Sequence, residues 1–167
     1  MDTSYIKLAT KLSYDLGLTQ IPIEFVLVAL IPEGARVSSR LRESLISKTG
    51  HSDYEYFEFL GDRVVGLVIN EYVYTNYENA KDAIKYNHEL IESNKFFQCI
   101  MDKGNYCQRL NTKKCGDRFE ALIGSIYSYY LSFDEENAYP RVRDWLYSAF
   151  GLDKSIDKAI DSGSVIC

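Results

Sequence analysis

The chain has 167 residues, 46% of them hydrophobic and 26% charged, with a formal net charge of −5 at neutral pH. This composition is typical of a globular domain and excludes an intrinsically disordered chain. No apolar run approaches the roughly 20 residues of a membrane span, and the first residues lack the layout of a signal peptide. We therefore expect a soluble intracellular protein, cytoplasmic or nuclear, with no membrane partner. The acidic balance argues against binding nucleic acid through a basic surface alone, but not against meeting phosphates through bound cations.

The first half of the chain predicts helices separated by polar breaks. Residues 2–16 and 23–30 carry apolar side chains at helical spacing, whereas residues 35–53 are polar and mixed and close on a break that begins at Gly50. Residues 54–74 form the longest apolar stretch. Their Val and Ile content would allow a strand, but their length favours a buried helix.

The second half continues the same pattern. Helical periodicity recurs over residues 80–102, 117–133 and 135–150, and no clear strand is present. Residues 151–167 thin out into Ser-Gly-Ser, which predicts a linker or a frayed tail. We therefore expect one all-α domain over residues 1–150.

The cysteines carry no signature of a metal site. None of them forms a CxxC pair, and none lies near a histidine at zinc-binding spacing. We therefore expect reduced thiols at all four positions, which are Cys99, Cys107, Cys115 and Cys167.

Two groups of carboxylates lie within predicted apolar helices. Glu55, Glu58 and Asp62 follow an i, i+3, i+7 spacing, which puts them on one stripe of a helix. Val65 and Ile69 continue this stripe, so we expect it to face the interior. No Lys or Arg is expected one turn away to neutralise Glu58 and Asp62, since the neighbouring Arg63 should point elsewhere.

Asp117 and Glu120 repeat the i, i+3 arrangement in a later helix. If the two helices meet, Glu58, Asp62, Asp117 and Glu120 converge, and four such charges cannot all stay ionised without cations. Oxygen ligands suit Mg²⁺ or Mn²⁺, and two such ions form the clamp used for in-line displacement at a phosphodiester.

Simpler interpretations remain open at this point. Asp117 and Glu120 also match a capping box, with Asp117 as the N-cap residue. Glu55 and Glu58 could be solvated first-turn acids that complement the helix dipole. Asp62 is harder to explain in this way, because it lies two turns into the helix.

The two motifs resemble those of the ribonuclease III family. Residues 55–63 read EYFEFLGDR and resemble the family's signature, and residues 117–127 read DRFEALIGSIY and resemble its second motif. Between them, residues 89–95 read ELIESNK and resemble its Leu-Val-Ser-Asn segment. The order of the motifs and their separation also agree, and the resemblance covers roughly residues 10–150.

The resemblance implies an all-α endonuclease domain, a helical bundle that forms a homodimer and cleaves double-stranded RNA. Glu58, Asp62, Asp117 and Glu120 would be the catalytic residues that bind Mg²⁺ or Mn²⁺. Cleavage by two metal ions would leave 5′-phosphate and 3′-hydroxyl ends with two-nucleotide 3′ overhangs.

Three further residues take roles from the resemblance. Glu55 matches an acid near the RNA backbone, and Lys113 matches a lysine beside the scissile phosphate in the Dicer-like branch. Phe59 matches a phenylalanine that contacts the partner subunit. The alternatives are a solvated loop lysine for Lys113 and an ordinary core residue for Phe59.

The sequence also departs from the family pattern. Tyr56 and Phe57 replace its usual polar residue and leucine, and residues 151–167 are too few for the double-stranded-RNA-binding domain that commonly follows. We therefore expect modest intrinsic RNA affinity, or a separate partner protein that supplies it. One alternative is a catalytically silent relative that serves as an RNA-binding or assembly scaffold, although such relatives typically lose some of the acids. The other is an unrelated carboxylate-rich helical bundle, although the Glu-x-x-His pattern of such bundles is missing.

Overall fold

The structure is a computed structural model that describes residues 2–79 and 93–167, and within these ranges it contains helices and no strand. The predicted all-α fold is therefore confirmed for the described residues. Part of the segment predicted over residues 80–102 lies outside them. The α-helices are α1 (Asp2–Asp15), α2 (Glu24–Leu30), α3 (Ser39–Thr49), α4 (Glu55–Asn76), α5 (Asn94–Lys103), α6 (Tyr106–Leu110), α7 (Cys115–Phe133), α8 (Ala138–Phe150) and α9 (Leu152–Ser162), with a short 3₁₀ helix at Glu135–Asn137.

Helix α3 lies in the segment whose polar composition gave little helical signal. Ser38 caps its first turn by accepting a hydrogen bond from the backbone N–H of Leu41 at 3.1 Å. Gly50 ends the helix in the left-handed conformation, with φ of 82°, where a side chain would be strained. The predicted break at Gly50 is therefore confirmed, and the structure adds a helix before it.

Helix α7 forms the centre of the bundle. Apart from Asp117, its residues from Cys115 to Ile126 are all buried, and α2, α4, α5 and α8 pack around it. A helix that is apolar on every side is expected to be enclosed in this way. Among residues 2–79 and 93–167, no helix combines the length and apolar composition that crossing a bilayer requires.

Helices α4 and α7 form the most extensive packing contact among the described elements, and they touch backbone to backbone. A Cβ atom at Gly61 would overlap the carbonyl oxygen of Glu120, and one at Gly124 would overlap the carbonyl oxygen of Phe57. Glycine is required at both positions because no side chain fits between the two backbones. The crossing therefore fixes which residues of the two helices become neighbours.

The C-terminal segment differs from the predicted linker or tail. Helix α9 packs against α4 and α8, and it buries Leu152, Ile156 and Ala159. These residues recur at i, i+4 and i+7 and form a helical stripe. The residues between them are mostly polar, so the average composition of the segment gives no sign of the stripe. The expectation of a frayed segment over residues 151–167 is therefore wrong for the helical part.

The cysteines are paired in the structure, which corrects the expectation of reduced thiols. Cys99 is bonded to Cys167, with Cα atoms 6.0 Å apart, and Cys107 is bonded to Cys115, with Cα atoms 5.4 Å apart. Spacing rules for zinc sites say nothing about such pairs, because partners 68 residues apart become neighbours only through the tertiary fold.

We expect Gly61→Ala to destabilise the fold strongly. The added methyl group must push α4 away from the backbone of α7, which costs about 3 kcal/mol or more of unfolding free energy. Urea denaturation measures the loss, and Thr75→Ala, at an exposed position of the same helix, serves as the control. A Gly61→Ala protein as stable as the control would contradict the close crossing.

Candidate active site

The four predicted carboxylates lie on the two helices that cross at glycine. Glu58 and Asp62 flank Gly61 on α4, and Asp117 and Glu120 lie on the first turns of α7. The main-chain contact between Gly61 and Glu120 keeps the helices close at this level. The structure therefore brings the acids of both motifs into one site, although even the nearest pair, Asp62 and Asp117, is 55 residues apart in sequence.

Glu120 is the buried member of the group, with only 7% of its surface exposed. Its pKa is raised to about 8, first by burial and then by the negative charges of Asp62, Glu58 and Asp117. Because each of these three carboxylates acts on Glu120, all four share one electrostatic environment.

Glu58 is only half-buried and experiences opposing influences. Burial and the charge of Asp117 raise its pKa, whereas the cations Arg118 and Lys114 act in the opposite direction. The net direction is upward. Sequence reasoning missed both cations, since α7 had to be placed against α4 before they could be seen as neighbours of Glu58.

Asp62 departs from expectation in two respects. Its side chain is exposed rather than interior, and it forms an ion pair with Arg63, whose Nη1 lies 3.1 Å from Oδ2. Glu120 on α7 is buried, whereas on the α4 stripe Glu58 is half-buried and Glu55 and Asp62 are exposed. The expectation that this stripe faces the interior therefore holds for Val65 and Ile69 but not for its acids. The expectation that Arg63 points elsewhere is wrong.

The capping interpretation of Asp117 and Glu120 is also wrong. Helix α7 begins at Cys115 after Lys114, so Asp117 is already its third residue. On the other helix, Asp53 accepts a hydrogen bond from the backbone N–H of Glu55 at 3.0 Å.

Glu55 is an exposed acid at the rim of the site. A hydrogen bond with Glu33, together with the charge of Glu33, raises the pKa of the Glu55 carboxyl. Glu55 also borders an open pocket of about 410 Å³. The other lining residues are Glu58, Phe59, Asp62, Arg63 and Glu120.

Phe59 is not a core residue, because 58% of its surface is exposed. The guanidinium carbon of Arg63 lies 3.7 Å from the centre of its ring, so the two side chains stack at the edge of the pocket. Its role as a dimer contact stays a prediction.

Lys113 is exposed in the loop before α7, next to the Lys114 that acts on Glu58. Its role beside a phosphate stays a prediction. The segment between the two motifs, residues 89–95, is described only in part. Its residues 89–92 lie outside the described ranges, whereas Asn94 packs close to Gly116 at the start of α7.

The carboxylates share a site without forming a compact ligand cage. In the described part of the chain, no three His, Cys, Asp or Glu side chains are grouped closely enough to hold a metal ion as they stand. Neither the comparison with protein-family models nor that with curated proteins finds a match for this chain. The nature of the site must therefore be argued from its residues.

We expect the raised pKa of Glu120 to make stability depend on pH. Below about pH 4.5 the Glu120 carboxyl is protonated in both the folded and the unfolded chain, so its full contribution to the free energy of unfolding is present. As the pH rises towards about 8, the unfolded chain releases this proton while the folded protein retains it, and stability falls by on the order of 1.4 kcal/mol per pH unit.

Chemical denaturation at several pH values compares the wild type with Glu120→Gln, which cannot ionise at this position. The difference between the two proteins should grow across the window from about pH 4.5 to about pH 8. A constant difference would contradict the raised pKa.

Proposed function

We propose that this protein is a Mg²⁺- or Mn²⁺-dependent endoribonuclease that cleaves double-stranded RNA as a homodimer. The observation that carries the proposal is the burial of Glu120 among three other carboxylates. Among the described residues, no Lys or Arg forms an ion pair with Glu58, Asp117 or Glu120. Such a cluster favours cations that enter from solvent.

The chemistry of the donor set fits a hard divalent cation. Glu58, Asp62, Asp117 and Glu120 would hold it through carboxylate oxygens, the ligands that Mg²⁺ and Mn²⁺ prefer. Bound ions of this kind activate water as a nucleophile and stabilise the leaving oxygen of a phosphodiester. The motif resemblance directs this chemistry to RNA and implies 5′-phosphate and 3′-hydroxyl ends with two-nucleotide 3′ overhangs.

Cations at the rim of the site support a phosphate-bearing substrate. Arg63 borders the pocket, and Lys113 and Lys114 are exposed just before α7, where Lys114 acts on Glu58. They can contact backbone phosphates, so duplex RNA would be recognised by its shape and 2′-hydroxyls rather than by its bases. The net charge of −5 limits this affinity, and a separate RNA-binding partner is compatible with it.

A homodimer is part of this proposed function because α4 presents apolar side chains to solvent. Phe59, Leu67 and Tyr74 are all exposed, and their spacing puts them on one stripe of the helix. Arg63 lies on the same stripe and stacks on Phe59. An exposed apolar stripe next to the site is the surface that a second copy of the chain would cover.

We expect Mg²⁺-dependent cleavage of an end-labelled RNA duplex of about 30 base pairs, abolished by EDTA and reduced on the order of 100-fold or more in Glu120→Gln. The Gln side chain preserves shape but removes the charge that a metal ligand needs. The control is Glu136→Gln, an exposed acid in the 3₁₀ helix, which should cleave at the wild-type rate.

The pattern of outcomes separates the candidate functions. Metal-dependent cutting with short 3′ overhangs, lost only in the site variant, supports the nuclease. Duplex binding without cutting would favour the scaffold alternative, and equal cutting by Glu120→Gln would reject these carboxylates as the catalytic centre.

We expect Phe59→Asp to shift the protein from dimer to monomer, because a charge in the apolar stripe opposes its burial against a second copy. Sedimentation equilibrium measures the association constant. Phe133→Asp replaces another exposed phenylalanine, at the far end of α7, and should leave association unchanged. A wild-type monomer, or equal effects of the two substitutions, would reject this interface.

A further inference from the structure

A buried arginine lies beside the carboxylates and forms no ion pair with any residue that the structure describes. Arg118 follows Asp117 on α7 and has 8% of its surface exposed. Its guanidinium carbon lies 3.9 Å from the centre of the Tyr54 ring, so the group stacks on the aromatic face. Its Nη1 atom is buried and has no hydrogen-bond partner among residues 2–79 and 93–167.

This arrangement is unfavourable for Arg118 considered alone. A buried guanidinium loses its hydration, and an N–H group without an acceptor adds to that cost. Stacking on Tyr54 recovers part of it but leaves Nη1 without an acceptor. The position is therefore best explained by a negative group within reach, whose charge stabilises the cation.

Glu58 is the carboxylate in the right place. The backbone N–H of Glu58 donates to the carbonyl oxygen of Tyr54 at 2.9 Å, so the two residues lie one turn apart on the same face. A guanidinium stacked on Tyr54 is therefore close to Glu58. Consistent with this, the positive charge of Arg118 acts on the Glu58 carboxylate.

We propose that Arg118 is a positioning residue of this site, whose free Nη1 donates a hydrogen bond to the Glu58 carboxylate as Glu58 turns towards a bound divalent cation. This inference rests on the proposed function. The glutamate side chain has several rotamers, and a hydrogen bond to one carboxylate oxygen leaves the other directed at the cation. Because Arg118 is nearly enclosed, it acts through Glu58 rather than on RNA.

The test measures binding of Mn²⁺ alone, from the electron paramagnetic resonance signal of the free ion, with no RNA present. Arg118→Met should weaken Mn²⁺ binding about tenfold, and Arg118→Lys, which keeps the charge but lacks the planar fork, should weaken it less. Thermal unfolding shows whether each variant is folded. If Arg118→Met is unfolded, the comparison of Arg118→Lys with the wild type provides the test. Arg141→Met, which removes an exposed arginine of α8 that lies near Tyr130 at the opposite end of α7, should bind Mn²⁺ like the wild type.

A double-mutant cycle with Glu58→Gln separates positioning from general packing. If Arg118 acts through Glu58, the loss caused by Arg118→Met largely disappears when Glu58 is already Gln. An undiminished loss in that background, or tighter Mn²⁺ binding by Arg118→Met in the wild-type background, would overturn the positioning role while leaving the metal site standing. If the wild type binds no Mn²⁺, or if Glu58→Gln and Glu120→Gln bind it as well as the wild type, the proposed function fails together with this inference.

Discussion

The direct contact between the backbones of α4 and α7 is the constraint on which the site depends. Gly61 and Gly124 allow the two helices to approach until main-chain atoms meet, and no larger residue fits at either position. Glu58 and Asp62 flank the first glycine, and Glu120 contributes its carbonyl to the contact. The same crossing therefore holds the bundle together and gathers the carboxylates, so fold stability and site geometry cannot vary independently.

The gathered carboxylates make the site electrostatically unfavourable in the absence of cations. Glu120, with a pKa raised to about 8, retains its proton near neutral pH and so reduces the local negative charge. Arg63 pairs with Asp62 at the surface, and Arg118 lies in the interior near Glu58. Proteins accept local instability of this kind mainly where a site requires it, which is the physical reason for regarding this cluster as functional.

Helix α4 packs into the core with one face and presents aromatic and apolar side chains to solvent with the other. Phe57 is fully buried at the contact with α7, whereas Phe59, two residues later, points to solvent beside the pocket. Residues two apart on a helix lie on nearly opposite faces, so neighbouring aromatic residues serve the core and the surface in turn. This division places an exposed apolar stripe directly next to the carboxylates.

The sequence by itself determined the helical class, the longest apolar helices and the spacing of the acids within each motif, because periodicity and spacing are local properties of the chain. It left open whether the two acidic motifs meet. It left the capping interpretation of Asp117 open, and only the start of α7 at Cys115 decided against it. The tertiary structure alone decided which acids are buried, that Arg63 pairs with Asp62, that Arg118 lies near Glu58, and that Cys99 meets Cys167. It also showed that the expected tail contains α9, whose apolar stripe is buried by packing against α4 and α8. Apart from the ion pair between the adjacent Arg63 and Asp62, these features depend on distances between residues far apart in the chain, which local spacing does not contain.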